Sequence, residues 1–218
     1  MSLTLVIGNK NYSSWSLRPW LLLKQFGVRF EEIKLPLDTP EFYERVQQYS
    51  PAGRVPVLID GELSVWDSLA ICEYVNERFL GGRGWPAKVP TRVRARSISA
   101  EMHAGFGALR DALPMNCRKH VPTPPLDVEV QRDIARIRAI WRDARTHHAR
   151  HGDFLFGQFS IADAMYAPVA VRFRSYAIEL DEIERRYVET LLALPTMQEW
   201  FAEASTEPIA GLHERNSA

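Results

Sequence analysis

The chain changes its residue pattern once, and that change constrains the fold more than any other feature. Over residues 1–80, short β-branched runs alternate with segments of helical spacing. After a glycine- and proline-rich break, GGRGWPAKVP at residues 81–90, only helical spacing recurs. An α/β layer followed by an all-α layer is the architecture this predicts. It divides the chain into residues 1–80, a linker at 81–90 and a helical part at 91–218.

In the first part, LTLVI at residues 3–7, closed by Gly8, reads as a buried strand. SLRPWLLLKQF at 16–26 reads as a helix that stops at Gly27, with its start near Ser16 so that Pro19 falls in the first turn. FEEIKL at 30–35 gives a second strand, parallel to the first because a helix crosses over between them. A short helix is expected at 40–48. Val57-Leu58-Ile59 and Leu63-Ser64-Val65 flank Asp60-Gly61, a dipeptide favoured in hairpin turns. A further helix covers 67–79. In the second part Ile98, Met102, Gly105, Leu109 and Leu113 share one helical face, and Val130, Ile134, Ile137, Trp141 and Ala144 another. Helices are also predicted at 161–176, 182–193 and 196–204, with no strand.

Several function classes are disfavoured. Lys+Arg and Asp+Glu both number 27, so there is no charge excess of the kind that captures nucleic acid or an anionic membrane surface. Cys72 and Cys117 lack the spacing of a disulfide framework, a metal site or a dithiol. His147, His148 and His151 have no carboxylate at ligand spacing, so an exposed helix end is expected and no metal. The start of the chain lacks the pattern of a secretory signal, and no run has the length of a membrane span, so a cytoplasmic protein is expected.

The candidate chemistry sits at turns. Asn11-Tyr12-Ser13-Ser14-Trp15-Ser16 lies where a helix N-terminus presents free N–H groups and partial positive charge, which suits either N-capping or an anion such as a thiolate; the residues alone favour capping. Val55-Pro56 precedes the third strand, and alone reads as a trans proline opening an edge strand. Asp67-Ser68 opens a helix. It either caps that helix, with Ser64 to Asp67 fitting an S-x-x-D pattern, or holds a substrate's ammonium and carboxylate. Ser160 to Asp163 forms a capping box, followed by Pro168 inside the helix. The basic stretch Arg83, Lys88, Arg92, Arg94 and Arg96 is either an anion-binding face or a solvated helix start.

Taken in order, these features resemble the glutathione S-transferase family. They are a strand, a serine-rich helix start, S-P-x-G-R-V-P-V-L, a D-G hairpin, D-S, a helix, a linker and F-x-x-G-x-F-S-I-A-D. The resemblance covers essentially the whole chain and implies a thioredoxin-like N-terminal domain joined to an all-helical C-terminal domain, usually as a homodimer. Tyr12-Ser13-Ser14-Trp15-Ser16-Leu17-Arg18 is most similar to the serine-type members, above all the zeta class with its S-S-C-x-x-R loop. That alignment favours Ser13 as the hydroxyl that holds the glutathione thiolate, with Ser14 as the alternative. Trp15 stands where zeta proteins keep a cysteine, which weakens thioltransferase and maleylacetoacetate isomerase readings.

The resemblance further implies a cis Val55–Pro56 bond, with the Val55 backbone pairing with the cysteinyl moiety of glutathione. Asp67 and Ser68 would hold its γ-glutamyl end, and Arg54 the glycyl carboxylate. Trp15, Met102, His103 and Phe106 would line the pocket of a small electrophilic, mostly apolar second substrate, the last three because they fall early on the first long helix of the C-terminal part. The expected function is glutathione transfer. The alternatives are a non-catalytic binding or interaction protein of the same fold and a glutathione-dependent isomerase.

Overall fold

The structure is a computed structural model that describes residues 3–208; residues 1–2 and 209–218 of the sequence lie outside it. The N-terminal part runs β1 (Leu3–Ile7), α1 (Ser14–Gln25), β2 (Glu31–Lys34), α2 (Pro40–Val46), β3 (Val57–Asp60), β4 (Leu63–Val65) and α3 (Ser68–Arg78). The sheet order is β2-β1-β3-β4. β1 and β2 pair in parallel with Val6 opposite Ile33, while β3 is antiparallel to both β1 and β4. The helical part follows as α4 (Val89–Ala104), α5 (Gly107–Ala112), α6 (Val128–His148), α7 (Ile161–Ser175), α8 (Glu182–Leu192) and α9 (Pro195–Thr206).

Strand alternation sorts the core. Leu3, Leu5 and Ile7 face one way and pack with Leu17, Trp20 and Leu21 of α1 and with Ile71 and Val75 of α3. Val6 faces the other way and meets Leu35, Phe42, Val46 and Val57 under α2. α7 is apolar almost all round, as a helix buried on every side must be, and forms the centre of the helical part.

Local departures from the sequence expectations have physical reasons. α1 starts at Ser14, two residues before Ser16, which leaves Pro19 inside the helix. The helix tolerates this because α1 is packed against both α3 and α7, and tertiary burial outweighs propensity. Its end is as expected. The Gly27 amide bonds Lys24 and the Val28 amide bonds Leu23, with Gly27 at φ +68°, a Schellman stop. In the hairpin, Asp60 pairs with Leu63, so the turn residues are Gly61 and Glu62, and the positive φ falls on Gly61. The apolar face expected to run from Ile98 to Leu113 spans two helices, because Gly105 is extended and Phe106 adopts φ +61°. The apolar spacing survives that break because α4 and α5 line the same core.

Candidate functional site

Separate chain segments converge on one cleft of about 370 Å³. The loop before β3 supplies Arg54, Val55 and Pro56, the entry to α3 supplies Trp66, Asp67 and Ser68, and Trp15 and His103 close the far side. The Val55–Pro56 bond is cis, as the resemblance implies and against the trans reading of the residues alone. Asp67 caps α3, with Oδ1 accepting from the amides of Leu69 at 3.0 Å and Ala70 at 3.3 Å. Its Oδ2 lies 2.8 Å from His103 Nε2. Ser64 takes no part in capping; its hydroxyl donates to the Tyr49 carbonyl at 2.9 Å. Ser68 is fully buried and accepts from Arg18 Nη1 at 3.3 Å.

The two candidate serines have different surroundings. Ser13 is the N-cap residue of α1 and lines neither this cleft nor its neighbour. Its Oγ lies 2.7 Å from Ser16 Oγ, which also accepts from the Gly8 amide at 3.1 Å. Ser14, the first residue of α1, lines a second cavity of about 290 Å³ with Tyr12, Trp15, Arg110, Arg172 and Tyr176. Ser14 Oγ accepts from Arg172 Nη2 at 3.3 Å. The Trp15 indole is the wall common to both spaces. His103 meets it edge-on at 5.3 Å, and the guanidinium groups of Arg18 and Arg110 lie 4.2 and 4.7 Å from its ring.

Of the expected second-substrate residues, Trp15 and His103 face the clefts. Met102 and Phe106 are buried in the core and line neither. The break at Gly105 ends α4 just past His103, so Met102 and His103 sit at the C-terminal end of that helix rather than early on it, and Phe106 lies beyond it as the N-cap residue of α5. Arg110 and Arg172 were not foreseen at the site. The only sequence signal for Arg172 is a lone cation within the apolar run PVAVRF, which marks burial without saying what it faces.

Other candidates take structural roles. Burial pushes the thiol of Cys72 well above its ordinary range and that of Cys117 up to about 12, so neither is a ready nucleophile. In the basic stretch, Arg94 pairs with Asp143, Arg96 lies 3.5 Å from Glu73, and Arg92 donates to the carbonyls of Pro86 and Ala87. His148 packs on Phe156 at 5.2 Å at the rim of a cavity of about 470 Å³, away from the converging segments. Among the described residues no group of His, Cys, Asp or Glu is placed to hold a metal ion, and no helix is long and apolar enough to cross a membrane.

Similarity to known proteins agrees with this geometry. A family model described as "Glutathione S-transferase, N-terminal domain" matches residues 12–78, and one described as "Glutathione S-transferase, C-terminal domain" matches residues 123–203. A dichloromethane dehalogenase of Methylorubrum extorquens is 44% identical over 63 residues, 28% of this chain and 22% of that protein. A probable maleylacetoacetate isomerase of Vibrio cholerae is 29% identical over 105 residues, 48% of this chain and 49% of that protein. The chain therefore spans less than half the length of each of these relatives.

Among solved structures, a glutathione transferase homolog from Burkholderia, with bound glutathione, gives a TM-score of 0.72 at 23% identity and covers 95% of this chain and 100% of that one. A Tau class glutathione S-transferase from mango gives 0.71 at 16% identity, covering 94% and 96%. At such identities the likeness is one of fold. With both family models matched in order, and a mixed four-stranded domain leading into a helical one, the chain belongs to the glutathione S-transferase family.

Proposed function

We propose that this protein is a glutathione transferase in which Ser14 holds the glutathione sulfur as a thiolate for attack on a small electrophile. Residues 1–80 bind glutathione and residues 91–218 supply most of the second-substrate surface, in a cytoplasmic homodimer of the kind the family resemblance implies. The observation that carries the reading is the single cleft formed by Arg54, Val55, Pro56, Asp67 and Ser68, which shares its Trp15 wall with the second cavity that Ser14 lines. The tripeptide lies along that cleft, its γ-glutamyl end toward Asp67 and Ser68 and its sulfur toward the start of α1.

A free thiol titrates near 8.5, so only a few per cent is thiolate at neutral pH. Ser14 Oγ already accepts from Arg172, which leaves its own proton to donate to sulfur. The positive end of α1 and the Arg172 charge act in the same direction. This moves the preferred hydroxyl from Ser13 to Ser14, because Ser13 is engaged with Ser16 and faces neither cavity. No cysteine takes the place of Trp15 in that loop, so the chemistry is addition to or displacement on the electrophile rather than thiol exchange through the protein.

Ultraviolet absorbance of the thiolate against pH, with glutathione bound, tests this. The wild type and Ser13→Ala are expected to show a bound-thiol pKa about one unit or more below that of free glutathione, and Ser14→Ala to lose the shift, each unit being worth about 1.4 kcal/mol. A wild-type curve that coincides with free glutathione overturns the reading.

A further inference from the structure

Arg18, Arg110 and Arg172 gather around Trp15 and Ser14; Asp67 acts on Arg18, Asp111 and Asp133 on Arg110, and Asp111 on Arg172, each from beyond ion-pair distance. Arg18 is fully buried, and its Nε and Nη2 have no hydrogen-bond partner. Arg172 is 5% exposed and spends its donors on the Leu113 carbonyl and Ser14 Oγ. Half-buried Arg110 donates to the carbonyls of Met102 and Gly105. Among the described residues none of the three forms an ion pair. Burial, and then mutual repulsion, pushes the pKa of Arg18 down to about 9 and that of Arg172 down to about 10. Asp111, exposed on α5, is the single carboxylate on the wall of the Ser14 cavity. Buried charge is ordinarily paired, and with those carboxylates beyond ion-pair distance three positive charges are left without a direct partner beside this cavity.

We propose that the second substrate is an anionic electrophile, whose carboxylate docks on Arg172 and Arg110 in the cavity beside Ser14. The inference rests on the glutathione-transfer reading and sharpens it. The expected mostly apolar substrate becomes one with an apolar body and a charged end. Arg172 touches Ser14, so a carboxylate held there keeps the body of the electrophile in the same cavity as the sulfur that Ser14 holds.

The probes are 4-(chloromethyl)benzoate and its methyl ester, which share a leaving group and differ in charge. In either, the thiolate sulfur forms a bond to the benzylic carbon as the carbon–chlorine bond breaks, and chloride leaves with the electron pair. With the full-length wild type and glutathione, kcat/KM for the carboxylate is expected to exceed that for the ester by about ten- to hundredfold, the worth of a charge-assisted contact. Arg110→Met is expected to remove most of that preference, read as the ratio of the two rates, by lowering the carboxylate rate more than the ester rate. Calorimetric titration of wild type with 4-methylbenzoate and 4-methylbenzamide reads the same selectivity without turnover, so a failure of Arg110→Met to fold does not block the test.

Turnover of both chlorides with equal kcat/KM overturns the anion site and leaves the transferase reading standing, as does equal affinity for benzoate and benzamide. No turnover of either chloride, with no lowered thiol pKa, overturns the transferase reading. It also overturns the assignment of the anion as an electrophile, whatever benzoate does.

Discussion

Burying a guanidinium without a carboxylate carries a net penalty of several kcal/mol even after relaxation, and the terms set against it at Arg18 are modest. Its stacking on Trp15 at 4.2 Å is worth about 0.5–2 kcal/mol, and its bond to Ser68 about 1 kcal/mol. The penalty is the larger, so in the glutathione-free protein Arg18 is retained at a cost to stability. Arg18→Met, of similar reach and no charge, is expected to raise the urea unfolding free energy by about 1–3 kcal/mol or leave it unchanged. It should also weaken glutathione binding, since Ser68 loses the donor that orients its hydroxyl. A fall in stability of more than about 1 kcal/mol would show instead that stacking and the Ser68 bond outweigh the buried charge.

At the scale of the element, the start of α7 rests on one carboxylate. Asp163 is fully buried and accepts from the amides of Leu155 at 3.0 Å and Ser160 at 2.9 Å, and from the Ser160 hydroxyl at 3.0 Å. Burial pushes its pKa up to about 6, although those hydrogen bonds pull the other way. The unfolded chain releases this proton near 3.9. Between about pH 4 and pH 6 the folded chain therefore binds more protons than the unfolded one, so stability falls as pH rises through that window and is level above it. The fall amounts to about 2–3 kcal/mol. Urea titrations at steps from pH 4 to pH 7 should show wild type losing that much relative to Asp163→Asn. A wild type that gains on the variant over the same range would mean that the hydrogen bonds, rather than burial, set the proton affinity. The box itself was legible, because Ser and Asp three apart before an apolar run have a local meaning. The hairpin and the Gly27 stop were legible for the same reason. The start of α1, the interruption at Gly105-Phe106 and the inward position of Arg172 were not. Each depends on what packs around the segment, and residues distant in sequence decide that. Of the candidate site, the cleft from Arg54 to Ser68 was readable as motifs. The preference for Ser14 proposed above rests on Ser13 turning to Ser16 and on a cavity beside Ser14 whose Arg172 is 158 positions away.

Over the whole molecule, the segment just past α9 meets the serine loop. Glu207, just past α9, is buried, and its carboxylate accepts from the amide of Lys10 at 2.8 Å and that of Asn11 at 3.0 Å, with Lys34 Nζ at 3.1 Å. Lys10 itself is buried between Glu32 at 2.9 Å and Glu203 at 2.7 Å. The same loop is tied from the helical side by the Cys117 amide donating to the Asn11 carbonyl at 3.2 Å and the Arg118 amide donating to Asn11 Oδ1 at 3.1 Å. The segment leading to Ser13 and Ser14 is thus held by residues from both parts, and the position of the serine hydroxyl depends on their docking. Glu207→Ala leaves two buried amides without acceptors and is expected to cost about 2–4 kcal/mol in urea unfolding, with Glu207→Gln, which keeps one acceptor, losing about half as much. Hydrogen exchange separates a local effect from a global one. In Glu207→Ala the Lys10 and Asn11 amides should exchange far faster while those of β1 follow only the loss in overall stability, and the pKa of bound thiol should drift up toward 8.5 as the loop loosens. If those two amides stay as protected as their β1 neighbours, the contacts from Cys117 and Arg118 suffice to hold the loop, and the Glu207 carboxylate has no part in setting the chemistry.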